Sequence, residues 1–137
     1  MGRMKRYMLD TNIITHLIKN NSNVVKRVTK ATMASLCISA ITEGELFFGL
    51  SKRPQAKKLH TLLHELLLCV DTQPWDNSVT KTYGALRAEL ENTGNLLAPL
   101  DLLIAAHALS TNVVLVTNDQ AFHRVPQLLI EDWTKEC

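Results

Sequence analysis

The sequence predicts an α/β architecture, a central and mostly parallel β-sheet flanked by α-helices. Three observations predict it. Short apolar runs, Tyr7-Met-Leu9, Leu36-Cys-Ile38 and Val113-Val-Leu-Val116, are too brief for helices. Longer segments with helical periodicity separate them, and strands alternating with helices favour a parallel sheet between helical layers. Two of the runs also lead straight into acidic residues, an arrangement typical of sites at the carboxyl ends of strands. At 137 residues the chain is long enough for one domain, spanning 1–137, with a real hydrophobic core.

The elements follow in order. Tyr7-Met-Leu9 reads as a buried strand ending in the polar turn Asp10-Thr-Asn12, where Asp10 or Asn12 can cap a helix carrying Ile13, Leu17 and Ile18. Residues 20–23 break that helix. Val24, Val25 and Val28 mark the next, with Lys26, Arg27 and Lys30 toward water. Leu36-Cys-Ile38 is a second strand, followed by a helix over residues 39–50. Beyond Pro54, leucines 59, 62, 63, 66 and 67 form the apolar stripe of a helix over residues 56–68. Cys69-Val70 reads as a short strand. Pro74 and Asp76 introduce a helix that Gly94 ends. Pro99 precedes a helix over residues 101–110, Val113-Val-Leu-Val116 is the clearest strand, and Leu128-Leu-Ile130 is the last.

Apolar residues make up 46% of the chain and charged residues 20%, which argues against wholesale disorder. A net charge of +2 excludes a polycationic tail but permits a local basic surface. Cys37, Cys69 and Cys137 are odd in number and far apart, so neither a disulfide framework nor a zinc knuckle is expected, and Cys37 and Cys69 read as core residues. No apolar run is long enough to span a bilayer. The basic start does not read as a signal peptide, and Arg6 breaks the myristoylation pattern that follows Gly2. A soluble, cytoplasmic protein is expected.

The chemistry lies in four acids. Asp10 directly follows the first strand, and Asp119 lies just past the Val113–Val116 run. Asp101 begins the helix before that run, and Glu45 lies in the helix after the second strand. Clustered carboxylates repel one another unless a cation neutralises them, and an all-oxygen donor set suits Mg²⁺ or Mn²⁺. Such ions activate water and stabilise charge on a phosphodiester. Each acid also has a structural explanation. Asp10 can be a cap or turn residue, and Thr42-Glu43-Gly44-Glu45 matches a capping box. Asp101 can cap its helix, and Asn118-Asp119 can be an ordinary turn. Only the constellation favours a site.

At Asp10-Thr-Asn12 the chain resembles PIN-domain ribonucleases, specifically the VapC toxins of toxin–antitoxin pairs. Nearly the whole chain takes part, through Met8-Leu-Asp-Thr-Asn12, Cys37-Ile-Ser39 with Glu45-Leu46 and Gly49, and Leu86-Arg-Ala-Glu-Leu90. Pro99-Leu-Asp101 with Ile104-Ala105 and His107-Ala108, Val116-Thr-Asn-Asp119 with Phe122, and Glu131-Asp-Trp133 continue it. The resemblance implies a PIN-like fold and a Mg²⁺-dependent endoribonuclease, with Mn²⁺ as a substitute. It places Asp10, Glu45, Asp101 and Asp119 at the family's acidic positions, with Asp10, Asp101 and Asp119 holding the metal. Thr11, Asn12 and Thr117 become polar helpers at the substrate. Glu45 is preferred to Glu43 because it precedes Leu46 and stands four residues before Gly49; the fourth position varies between Asp and Asn, so Asp119 is the most replaceable ligand. By the same resemblance the substrate is RNA, in the subgroup that cleaves the anticodon loop of initiator tRNA. A VapB-type antitoxin partner and a homodimer are also implied.

Other residues have competing explanations. Arg87 can pair with Glu91 one turn away or contact RNA at the edge of the site. Lys52, Arg53, Lys57 and Lys58 form the densest basic cluster, readable as a solvated helix start or an RNA contact. His60 and His64 have the spacing of a helical metal pair but lack the His-Glu-x-x-His pattern, and His107 reads as structural. A haloacid-dehalogenase-type phosphatase needs Asp-x-Asp, where this chain has Asn12. A non-catalytic RNA- or protein-binding domain would have no use for four intact acids.

Overall fold

A computed structural model describes residues 5–136. Residues 1–4 and Cys137, including Gly2 of the myristoylation pattern and the first part of the basic start, lie outside the described residues. Five strands form one sheet in the order β3-β2-β1-β4-β5, with every pairing parallel. They are β1 (Tyr7–Leu9), β2 (Leu36–Ser39), β3 (Asp71–Gln73), β4 (Val114–Val116) and β5 (Ile130–Glu131). Between them run α1 (Thr11–Ile18), α2 (Ser22–Lys30), α3 (Ala40–Lys52), α4 (Lys57–Cys69), α5 (Asn77–Thr93) and α6 (Pro99–Thr111). The strand order reverses between β1 and β4, where Leu9 pairs with Val116. In open parallel sheets such a switch point opens a crevice at the carboxyl edge.

The central strands are apolar up to Ser39 at the end of β2, because both faces of the sheet are covered. Side chains alternate along each strand, so neighbours serve opposite faces. Met8, Cys37 and Leu115 pack with Leu86 and Leu90 of α5 and with Leu102 and Ala106 of α6. Leu9, Ile38 and Val116 pack with Ile13 and Ile14 of α1, Leu46 and Leu50 of α3, and Trp133. Cys37 and Cys69 are both free, Cys37 buried and its thiol pushed up to about 11 by burial.

Several boundaries differ from the sequence expectation, each for a local reason. The break after α1 is narrower than residues 20–23. Asn20 turns the chain at φ 61°, Asn21 accepts a hydrogen bond from Val24 N at 3.1 Å, and Asn23 already lies in α2. Cys69-Val70 is not a strand: Val70 N still donates to Leu66 O at 3.0 Å, so α4 runs through Cys69 and the strand follows at Asp71. Cys69 is therefore exposed rather than in the core. The last strand is displaced to Ile130–Glu131, leaving Leu129 exposed. Two 3-10 turns, Met33–Ser35 and Gln120–Arg124, were not anticipated. Gly94 does end α5, in the left-handed conformation at φ 72°. Among the described residues no helix is long and apolar enough to cross a membrane.

Arg27, expected toward water, is half-buried and donates to Glu131 Oε1 at 2.9 Å, with its guanidinium 5.1 Å from the Trp133 ring centroid. Glu131 also accepts from Lys5 Nζ at 3.1 Å and from Trp133 Nε1 at 2.9 Å. The buried Trp133 ring lies 5.2 Å from Tyr7. One carboxylate thus ties β1, α2 and the C-terminal segment together. Replacing it leaves a buried indole N–H without its acceptor and removes the ion pair of a half-buried guanidinium. Glu131→Ala is expected to cost about 1–3 kcal/mol, read as a lower urea midpoint with an unchanged m-value.

Candidate active site

The β1–β4 pairing sets the site. Asp10 N donates to Val116 O at 2.9 Å, which places Asp10 and Thr117, the residues that follow the two strands, side by side at the switch point. Asp10 is buried and also caps α1. Its Oδ1 accepts from Thr11 N at 2.9 Å. Its Oδ2 accepts from Thr117 Oγ1 at 2.9 Å and from Asn12 Nδ2 at 3.1 Å. A carboxylate has about four lone-pair positions, so these three donors fix Asp10 while leaving room for one more partner.

Thr117 is the hub. A hydroxyl has one donor and two acceptor positions, and all three are used: it donates to Asp10 and accepts from Asn12 Nδ2 at 3.2 Å and from Asp119 N at 3.1 Å. Asn12 Oδ1 accepts from Asn118 N at 3.2 Å, locking the loop after β4 onto the start of α1. Asn12 therefore serves as a donor to Asp10 at the position where the phosphatase motif needs a second acid. Asp119 Oδ1 accepts from Ala121 N at 3.0 Å, so Asp119 is both a turn cap and a member of the acidic group.

Glu45 arrives from α3. Its Oε1 accepts from Thr11 Oγ1 at 2.9 Å. The capping-box reading fails because Ser39 caps α3, leaving Thr42 buried inside the helix and Glu45 in its middle. Glu43 makes no comparable contact among the described residues. Asp101 is not a cap either: α6 begins at Pro99, which puts Asp101 in the first turn, where the helix dipole favours a carboxylate. His107 lies farther along α6, fully buried, its Nδ1 2.7 Å from Ser39 Oγ. Burial lowers its pKa, keeping it neutral. It thereby joins the helix of Asp101 to the cap of the helix of Glu45, a linkage that sequence reasoning missed because the partners lie 68 positions apart.

The four acids act on one another. Burial, followed by the charges of Asp119, Asp10 and Glu45, pushes the Asp101 carboxyl up to about 6. Burial raises Asp10 above the usual carboxylate range, with Glu45 and Asp119 adding to the effect and the hydrogen bonds from Thr117 and Thr11 opposing it. Among the described residues no ion pair neutralises any of the four. Nor are three of the acids drawn tightly enough together to form a closed metal cage. An all-oxygen, uncompensated set fits a hard divalent cation that keeps part of its water shell, because Mg²⁺ uses one or two carboxylates and retains several waters. Arg87 is not joined to the group. It donates to Glu91 Oε2 at 3.2 Å and to Tyr83 Oη at 3.1 Å on the exposed face of α5. His60 Nε2 meets Arg53 O at 2.9 Å, and its ring lies 6.5 Å from that of His64.

An uncompensated acidic pocket at the switch point of a parallel sheet defines the class, a hydrolase site open to a metal ion and a polyanion. Comparison with known proteins gives the family. The PIN domain profile matches residues 7–128. The chain is 33% identical over 132 residues to the tRNA(fMet)-specific endonuclease VapC of Shigella flexneri, covering 96% of this chain and 100% of that protein. It is 36% identical over 134 residues to ribonuclease VapC2 of Rickettsia felis, covering 94% and 98%. A chain of the DNA-bound VapBC complex of Salmonella typhimurium superposes with a TM-score of 0.87 at 33% identity, covering 95% and 99%. The chain belongs to the PIN-domain family, in its VapC branch.

The raised Asp101 pKa has a signed consequence. A free aspartate titrates near 3.9, so between about pH 4 and 6 the folded state binds more protons than the unfolded state, and the site costs stability as pH rises through that window. With metal chelated, the melting temperature of the wild type should fall relative to Asp101→Asn across this range. Mg²⁺ at pH 7.5 should restore it, with an increment that shrinks below pH 6. Parallel melting curves for the two proteins at every pH would refute the assignment.

Proposed function

We propose that this chain is a metal-dependent endoribonuclease and the toxin of a VapBC-type toxin–antitoxin pair, with residues 1–137 acting as one domain. The observation that carries the reading is the convergence of Asp10, Glu45, Asp101 and Asp119 at the sheet's switch point without a neutralising cation among the described residues. Mg²⁺ is the proposed resident ion, with Mn²⁺ as a substitute, held by Asp10, Asp101 and Asp119 directly or through water. When bound, a divalent cation supplies water activation and charge neutralisation at the scissile phosphate.

The protein's own groups do the rest. Thr117 and Asn12 hold Asp10 in one rotamer, so its unused lone pair is presented without reorganisation. Thr11 holds Glu45 through Oε1 and leaves Oε2 to orient the attacking water. In-line attack then leaves 3′-hydroxyl and 5′-phosphate ends. The name of the Shigella flexneri relative supports initiator tRNA, cut in its anticodon loop, as the substrate. Solved relatives such as the Salmonella typhimurium VapBC complex support a VapB-type antitoxin as the partner that silences the enzyme. A homodimer and a cytoplasmic site of action complete the proposal.

Asp10→Asn and Glu45→Gln should each lower RNA cleavage by about 10²-fold or more, while Glu43→Gln stays within about twofold of wild type. Thr117→Val should lose about 10–100-fold in metal affinity. Loss of cleavage in Glu43→Gln with a wild-type rate in Glu45→Gln would reverse their assignment. Expressed without its antitoxin, the wild type should arrest growth and Asp10→Asn should not; sequencing RNA ends from those cells identifies the cut site.

A further inference from the structure

A groove of about 450 Å³ starts at the acidic site and ends at cations. Thr11 and Glu45 line one end, Gly49 lies along its wall, and Lys19, Lys52 and Arg53 line the other. Glu45, Gly49 and Lys52 share one face of α3, four and then three residues apart. At 1.5 Å per residue, Lys52 lies about 10 Å along the helix axis from Glu45. That is too far to serve the phosphate being cut and suited to a neighbouring one.

Among the described residues, none of Lys19, Lys52 and Arg53 is paired with a carboxylate. Phe48, on the same stretch of α3, is 64% exposed, and Lys52 Nζ stands 5.0 Å from its ring centroid. An exposed aromatic ring beside a cation that no carboxylate neutralises is the pairing that single-stranded nucleic acids use, base on ring and phosphate on ammonium. The basic cluster seen in the sequence is also divided by the fold: Lys52 and Arg53 line this groove, whereas Lys57 and Lys58 line a shallow cavity that adjoins it across Ile18, Ala56 and Leu59.

Building on the nuclease reading, we propose that this groove is the track for a single-stranded RNA segment entering the acidic site. Lys52 and Arg53 hold the phosphate next to the scissile one, and Phe48 stacks a base. Charge complementarity selects this occupant, since a polyanion gains from the basic end and needs a cation only at the acidic end.

The test measures binding of a fluorescein-labelled single-stranded RNA by anisotropy over a range of salt, with Mg²⁺ present and Asp10→Asn as background to prevent cleavage. Each phosphate of a single strand that loses its cations lowers the slope of log K against log salt by about 0.7, so Lys52→Ala/Arg53→Ala, which frees one phosphate, should lower it by about 0.7. Lys57→Ala/Lys58→Ala removes the same charge outside the groove and should leave the slope as it was. With Asp10 restored, the first double variant should raise KM about tenfold and leave kcat within about twofold, the signature of weakened substrate binding. A Cβ at Gly49 meets nothing within 4 Å, so a side chain starts there without a clash; Gly49→Leu narrows the groove and should also raise KM.

If the wild type cleaves RNA and both double variants show the wild-type slope, the groove proposal is overturned, the nuclease reading stands, and the groove is left to a protein segment. If the wild type neither cleaves nor binds RNA, both fall. Binding that depends on Lys52 and Arg53 without cleavage by the wild type would support the groove and overturn the nuclease.

Discussion

The hydrogen bond from Thr117 to Asp10 holds the first strand's end to the fourth's, and everything else at the site leans on it. β1 and β4 are far apart in the chain and meet only because the parallel sheet reverses its order between them. At the point of reversal the two strands end together, and the residues that follow them are forced into contact. Thr117 then spends its whole hydrogen-bonding capacity on Asp10, Asn12 and the backbone of Asp119. The acids are thus placed by neutral groups. A lysine or arginine in the same position would satisfy them and leave nothing for a metal.

This placement opposes stability. Four carboxylates from four different segments lie near enough to act on one another, and burial together with mutual repulsion pushes one of them to about 6. The fold sustains that cost with a double-sided core in which the central strands have no solvated face. Burial elsewhere offsets repulsion here, a common arrangement at sites that must receive a cation.

Much of this was legible in the sequence, and the limits are physical. β1, β2 and β4 are fully covered strands, so their apolar runs stood out; β3 and β5 are edge strands with exposed or half-buried residues, and both were misplaced by about two positions. Asp10 and Asp119 could be placed because each follows a strand. Glu45 and Asp101 could not be told from helix caps until the true first residues of α3 and α6 were known, and those depend on Ser39 and Pro99. The roles of Arg27 and His107 were invisible because their partners, Glu131 and Ser39, lie 104 and 68 positions away. The motif resemblance named Glu131 and Trp133 without explaining them; the clamp on Arg27, Lys5 and Tyr7 does.

The C-terminal strand has a bearing on timing. Thr117 N donates to Glu131 O at 3.0 Å, so the residue that organises the acids is itself held by one of the last elements of the chain. During vectorial synthesis on a ribosome, β1 through β4 emerge before that support exists, and Trp133 must follow before Tyr7 and Arg27 are pinned. Assembly of the acidic group is therefore completed only after β5, the last of the five strands, has been made. A nascent chain from which β5 has not yet emerged lacks the strand that holds Thr117 in place.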